Sequence, residues 1–149
     1  MNFFFYNDYD KDEVFKKMEE LDLFDKLSKK SLPIKTVLLD QSIICGIGNI
    51  YDDEILFMSK IHPLRKGCTI SIEECDTIIK NTRIVLEKAI KLGGTTIKSF
   101  TSSEGVHGLF QNELLVHGKG GEKCPKCSNI LEKIRVGGRG THYCENCQK

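Results

Sequence analysis

The sequence predicts a mainly α fold, a helical domain followed by a small β-hairpin finger, on three observations. Apolar residues between Ile34 and Ser59 recur at helical spacing on both sides of a glycine-rich break, GIGN at Gly46 to Asn49. A second periodic run, Cys75, Ile78, Ile79, Thr82, Val85, Leu86, Ala89 and Ile90, follows Ser71 and Glu74, which together form a capping-box pattern. Toward the C-terminus the helical period disappears, and KIRV and THYC flank the turn GGRG between two CxxC pairs.

The composition agrees with a folded core. The chain has 149 residues, 40% hydrophobic and 29% charged, as in ordinary globular proteins. That length holds one compact domain, or a small domain with a metal-stapled appendage. A formal net charge of +1 gives no whole-chain sign of a nucleic-acid partner, but the charge is unevenly spread. Met1 to Ser31 carries six basic and eight acidic residues, whereas His117 to Lys149 carries seven basic and three acidic. No long apolar window occurs, and the opening MNFFFYNDYDKDEVF is broken early by Asn and Asp. Neither a membrane span nor a secretory leader is expected, and the expected location is the cytoplasm. Of seven cysteines, Cys45, Cys68 and Cys75 fall in apolar or helical stretches, so metal ligation plus buried thiols fits better than a disulfide framework.

Taken in order, Val14, Phe15, Met18 and Leu21 fall at helical spacing with Asp10 or Asp12 as cap, and the charged stretch Lys26 to Ser31 before Pro33 reads as a break. A helix is then expected from Ile34 to about Cys45, a tight turn at Gly46 to Asn49, and a second helix from about Tyr51 to Ser59. Gly93 and Gly94 end the long helix that Ser71 opens. From Thr95 to Leu109 the residues are polar and small, which reads as a long exposed loop of the kind that often carries function. Phe110 to His117 is expected as a short helix or an extended piece. The resulting divisions are an N-terminal extension with a linker helix over 1–32, a helical domain over 33–115 and a finger over 116–149.

CPKC, sixteen residues, then CENC lies within the spacing of tetrahedral zinc sites. Each CxxC turn brings two thiolates to one ion, and Cys124, Cys127, Cys144 and Cys147 together close the coordination sphere. With no position left open for substrate, the Zn2+ is structural, folding a segment too poor in apolar side chains to form its own core. An iron-sulfur cluster is the competing assignment.

Two further features have a bland and a functional reading each. GGRG puts Arg139 on a glycine-flanked turn, where a guanidinium suits phosphate oxygens but is also found simply solvated. In GIGN, the amides around Gly48 and Asn49 stand near a helix N-terminus, which favours an anion, and Asn49 is a candidate cap; a plain packing turn uses the same residues. Neither GxGxxG nor a Walker lysine-serine pair is present. Lys35, at the start of the preceding helix, reads as a solvated lysine on spacing alone. His117 and His142 are either extra contacts or surface groups.

Taken together, KTVLLDQSIICGIGNIYDDEILF, the LGGTT helix end and KCPKC…VGGRGTHYCENCQ resemble the C-terminal half of the formamidopyrimidine-DNA glycosylase family of bacterial base-excision repair enzymes. The resemblance runs from about Pro33 to Gln148, with three separated motifs in the family's order. It implies that the first motif is a helix–two-turn–helix and the last a zinc finger, both gripping the DNA backbone near a lesion. By position it implies Lys35 and Asn49 as phosphate-contacting residues and Arg139 as the finger arginine beside the damaged nucleotide; Gly48, through its amide at the helix start, is counted with them as a DNA-binding candidate. The loop around Ser99, Thr101, Ser102, Gly105 and Gly108 corresponds to the segment that closes over an everted oxidised purine. Phosphate contacts position such a protein, while a flipped base is read in a pocket.

The departure is at the front. Members of the family begin, once the initiator methionine is removed, with proline and glutamate leading a β-sandwich, and the proline amine performs the covalent chemistry. This chain begins Met1, Asn2, Phe3, so no catalytic residue is assigned to it. The expectation is the DNA-binding half of an oxidised-purine glycosylase and AP lyase, inactive alone. Its expected partners are double-stranded DNA with oxidised-purine or abasic sites and a separate N-terminal catalytic half. The alternative is an autonomous zinc-containing DNA-binding module without catalysis. A zinc-ribbon interaction protein, more distant still, uses only the cysteine pairs.

Overall fold

The computed structural model of the chain describes residues 23–40, 42–43, 47–91 and 113–149. The helix expected around Val14 to Leu21 lies outside these residues, as do Gly93, Gly94 and the loop positions Ser99, Thr101, Ser102, Gly105 and Gly108. So do Cys45, the expected end of the helix from Ile34, and Gly46 of the glycine turn. The described elements are α1 (Leu23–Leu27), α2 (Ile34–Leu38), α3 (Asn49–Met58), a 3-10 turn (Gly67–Thr69), α4 (Ile72–Lys91), β1 (Glu132–Val136) and β2 (Arg139–Tyr143).

α2 follows Pro33 with no side-chain cap. Its first amides find backbone partners instead: Ile34 N donates to Arg65 O, and Lys35 N to Pro63 O at 3.2 Å, so the segment after α3 closes the start of α2. The helix stops at Leu38, well short of the expected Cys45. Asp40 ends it. Its Oδ1 accepts from Ser42 N at 2.9 Å and from Ser42 Oγ at 2.7 Å, a local turn that competes with continued helix.

α3 begins two residues earlier than expected and has Gly48 as its extended N-cap, at φ −96° and ψ 177°. Asn49 is therefore the first helical residue rather than the cap, and its amide group points elsewhere. The capping box is present as read: Ser71 N donates to Glu74 Oε1 at 2.9 Å and Glu74 N to Ser71 Oγ at 3.1 Å. Glu74 also takes a bidentate pair from Arg65, Nη1 to Oε2 at 2.6 Å and Nη2 to Oε1 at 2.9 Å. α4 buries Cys75, Ile78, Thr82, Val85, Leu86 and Ala89, the stripe its periodicity marks. Cys75 is thus a buried thiol, whereas Cys68, on the 3-10 turn, is exposed, contrary to expectation.

Leu27, Ile34, Leu38, Ile47, Ile55, Ile61 and Ile78 are among the residues of the main core, which α3 crosses. A second cluster joins Phe57 of α3 to Val116, Leu131, Cys124 and Cys144, so the finger is built onto the helix rather than standing free. Residues 113–117 form neither helix nor strand. β1 and β2 pair antiparallel from Glu132↔Tyr143 to Val136↔Arg139, as the sequence predicts. The two-residue turn is Gly137 (φ 58°) and Gly138 (φ 83°), a left-handed pair that L side chains rarely adopt. Gly137 also sits tight on α2: a Cβ there would lie 2.8 Å from Thr36 Oγ1.

Candidate functional site

The four paired cysteines converge. Their sulfurs lie within 4.8 Å of one another. Cys124 to Cys147 at 3.9 Å and Cys127 to Cys144 at 3.5 Å bracket the sulfur separation of about 3.8 Å that follows from a tetrahedron of Zn–S bonds about 2.3 Å long. Lys126 N and Cys147 N each donate to a ligand sulfur, Cys124 and Cys144, at 3.4 Å. Burial pushes Cys147 up to about 12 and raises Cys144, while the backbone hydrogen bond at Asn129 leads the influences that bring Cys127 down to about 6. Four thiolates this close need a cation among them, and one Zn2+ both supplies the charge and matches the donor set. The residues present therefore fit one structural zinc ion.

The finger is fastened to the helical domain on two sides. On one, Gln148 joins them: Cys144 N donates to Gln148 Oε1 at 2.8 Å, and Gln148 Nε2 donates to Ile61 O at 2.9 Å. The flanking backbone continues this tie, with His62 N donating to Lys149 O and Lys149 N to Lys60 O, both at 3.1 Å. On the other side, three consecutive acids of α3, Asp52, Asp53 and Glu54, are all buried. Glu54 accepts the amides of Leu115 (2.8 Å), Val116 and His117 (both 2.9 Å), the backbone that leads into the finger. This carboxylate serves as the cap that those amides would otherwise lack.

Asp53 is the hub. Its Oδ1 receives the ammonium of Lys35, and neither side chain has any exposed surface. Its Oδ2 accepts from His117 Nδ1 at 2.7 Å, His142 N at 3.1 Å and His142 Nδ1 at 3.1 Å. Burial alone raises the Asp53 pKa. The hydrogen bond from His117, the charge and hydrogen bond of Lys35 and the bond from His142 outweigh it and hold the carboxyl below its usual range. An ionised Asp53 only accepts, so both rings carry their proton on Nδ1. Lys35 is thus an interior ion-pair member, not the solvated lysine that spacing suggests, because a carboxylate on the next helix neutralises it.

Asp52 is the opposite case. It is fully buried, and neither carboxyl oxygen has a hydrogen-bond partner among the described residues. Burial pushes its pKa well above the usual carboxylate range, against the attraction of Lys35 and Arg139, so the interior favours its protonated form. Asn49, one turn earlier, donates from Nδ2 to Gly140 O at 3.2 Å, beside Arg139. The start of α3 and the start of β2 therefore stand side by side. Gly48 leaves open space around its Cα, with nothing within 4 Å of a Cβ added there. The Arg139 side chain is exposed, and no acceptor holds its guanidinium among the described residues. Arg135 braces the turn beneath it, Nη1 donating to Gly138 O at 2.9 Å.

Of the residues singled out from sequence, the structure brings Asn49, which follows Gly48, against Gly140, the neighbour of Arg139, and buries Lys35 in the interior. His117 and His142, left open by the sequence, both belong to Asp53. Asp53, Glu54 and Gln148 were not singled out. The available signal was the acidic run DDE inside an apolar helix, since each such residue has to be neutralised or hydrogen-bonded to be buried.

Comparisons with known proteins cover both parts. The family model described as "Formamidopyrimidine-DNA glycosylase H2TH domain" matches residues 10–101, and that described as "Zinc finger found in FPG and IleRS" matches residues 121–149. The formamidopyrimidine-DNA glycosylase of Mycoplasma mobile is 49% identical over 131 residues, 87% of this chain and 48% of that protein. The corresponding protein of Mycoplasmopsis pulmonis is 52% identical over 126 residues, 85% of this chain and 45% of its own length. A crystal structure of Lactococcus lactis Fpg with an abasic site containing DNA superposes with a TM-score of 0.76 at 42% identity, covering 85% of this chain and 46% of that one. Another, with a FAPY-dG containing DNA, gives 0.75 at 42% identity over the same shares. The chain thus spans about half the length of the relatives it matches. With its H2TH domain and its four-cysteine finger both matched, the chain belongs to the formamidopyrimidine-DNA glycosylase family.

Proposed function

We propose that this chain grips the backbone of double-stranded DNA carrying an abasic site or an oxidised purine, as the DNA-holding half of a base-excision repair glycosylase. The observation that carries this reading is the hydrogen bond from Asn49 to Gly140 O, 3.2 Å long, which sets the N-terminus of α3 beside the exposed Arg139. Two sources of positive potential then share one face: helix amides, and a guanidinium that suits phosphate oxygens. The open space at Gly48 lets a backbone approach closely. In this reading residues 33–115 and 116–149 form the two jaws, with Gly48, Asn49 and Arg139 touching phosphate. Lys35 contributes through Asp53 rather than by direct contact, since it has no exposed surface.

Relatives crystallised with abasic-site and FAPY-dG DNA support the choice of lesion class. Base excision and strand cleavage belong, in this reading, with the part of the relatives' length that these 149 residues do not match. Fluorescence anisotropy of the zinc-loaded protein on duplexes with and without an abasic-site analogue tests the proposal, combined with borohydride trapping on abasic DNA. Expected are binding that weakens steeply with salt and, from these residues alone, no covalent adduct. Absence of salt-dependent binding overturns the DNA-holding role; an adduct overturns the assigned division of labour.

A further inference from the structure

Asp53 takes donors from both jaws on one carboxylate: Lys35 on Oδ1, and on Oδ2 the His142 amide and ring and the His117 ring. We propose that Asp53 is a positioning residue, which sets where Arg139 stands relative to the N-terminus of α3 by holding strand β2 through His142. The proposal rests on the reading that Arg139 holds DNA.

The geometry supports a specific tether. Arg139 and His142 lie on the same five-residue strand, paired along its length with β1, so fixing one end of that ribbon constrains the other. The second tie, Asn49 to Gly140 O, is a neutral hydrogen bond of 3.2 Å. The bonds to Asp53 are charge-assisted and buried, where such bonds are stronger and more directional. The bond from His117 together with the Lys35 ammonium holds the carboxyl in its ionised form, so that it accepts from the finger rather than competing as a donor.

Asp53, His117 and His142 also present three potential ligand atoms within 4.8 Å of one another. A second metal ion would stand against the Lys35 ammonium on the same carboxylate. The His117 and His142 contacts of 2.7 and 3.1 Å are hydrogen-bond lengths, whereas two ligands on one zinc lie about 3.3 Å apart given bonds of about 2.0 Å. The cluster is therefore assigned as an ion-pair hub.

A double-mutant cycle on the full zinc-loaded chain tests this, with Asp53→Asn, Arg139→Ala and the double variant binding an abasic-analogue duplex. Asp53→Asn is expected to weaken binding about tenfold when Arg139 is present and at most about twofold when it is absent. Equal losses in both backgrounds, or no loss with Arg139 present, overturn the proposal. Because Asp53→Asn strands Lys35, the pair Lys35→Met and Lys35→Met/Asp53→Asn repeats the comparison without the lysine charge. Amide exchange at His142 gives a readout independent of DNA: about tenfold or faster exchange in Asp53→Asn is expected, with zinc content unchanged. Unaltered exchange overturns the tether. If Arg139→Ala leaves binding intact, the DNA-holding role of Arg139 fails, and exchange alone still decides the role of Asp53. Two zinc ions per wild-type chain, one of them lost in Asp53→Asn, would replace the hub by a second metal site.

Discussion

Lys35 of α2 and Asp53 of α3 form an ion pair in which neither side chain reaches solvent, and the same carboxylate holds the finger through His117 and His142. Removing one member of a buried pair leaves the other uncompensated, at a cost of about 3–5 kcal/mol. Lys35→Met is expected to destabilise the zinc-loaded protein by about that amount in urea unfolding, and Lys35→Met/Asp53→Asn, which removes both charges but keeps an oxygen to accept from His117 and His142, to recover much of it. A double variant no more stable than the single one would show that the charges are not the source of the loss.

Asp52 carries a different liability. A buried carboxyl without a partner costs about 1–3 kcal/mol, and Asp52 has none among the described residues, so Asp52→Val is expected to raise stability by about that amount. The pH dependence has a definite sign. The folded pKa is raised above the ordinary 3.8, so the folded state binds the extra proton between the two values. The contribution of Asp52 is fully present below the ordinary value and is lost as pH rises through the folded one. Asp52→Asn removes that slope, and its stability is expected to fall less than wild type between pH 4 and neutrality. Parallel stability curves for the two proteins would contradict a raised folded-state pKa at Asp52.

Gly137 is required on two counts, its positive φ of 58° and the 2.8 Å approach of a Cβ to Thr36 Oγ1. Gly137→Ala is expected to lower stability by about 1–2 kcal/mol from the left-handed backbone alone, and further from the clash. Combining it with Thr36→Ala should return only the steric part. Full recovery in the double variant would mean that the turn conformation contributes nothing.

Zinc removal is expected to separate the two jaws functionally. Chelation should abolish DNA binding and restore it on zinc addition, because the second core cluster, Phe57 with Val116, Leu131, Cys124 and Cys144, depends on the finger. Metal analysis is expected to find one zinc per chain; iron with sulfide would replace the assignment.

The elements that sequence reveals best here are those set by neighbouring residues. Both CxxC pairs, the Gly137–Gly138 hairpin and the Ser71–Glu74 box each depend on contacts a few positions apart, or on spacing that a metal fixes. The end of α2 was missed because the Asp40 turn competes locally with a helical pattern that continues through Ile43. Asp53 was missed for another reason. Its partners lie 18, 64 and 89 positions away, at Lys35, His117 and His142. Nothing in the local pattern around Lys35 distinguishes an interior ion pair from a solvated lysine, so only the tertiary fold reveals that Asp53 neutralises it.

The salt dependence of DNA affinity for wild type and Arg139→Ala tests the central claim most directly. If Arg139 meets phosphate beside α3, the substitution is expected to weaken binding and lower the slope of log affinity against log salt by about one, with zinc content unchanged. An unchanged affinity and slope would contradict a DNA grip built on Arg139 and the start of α3.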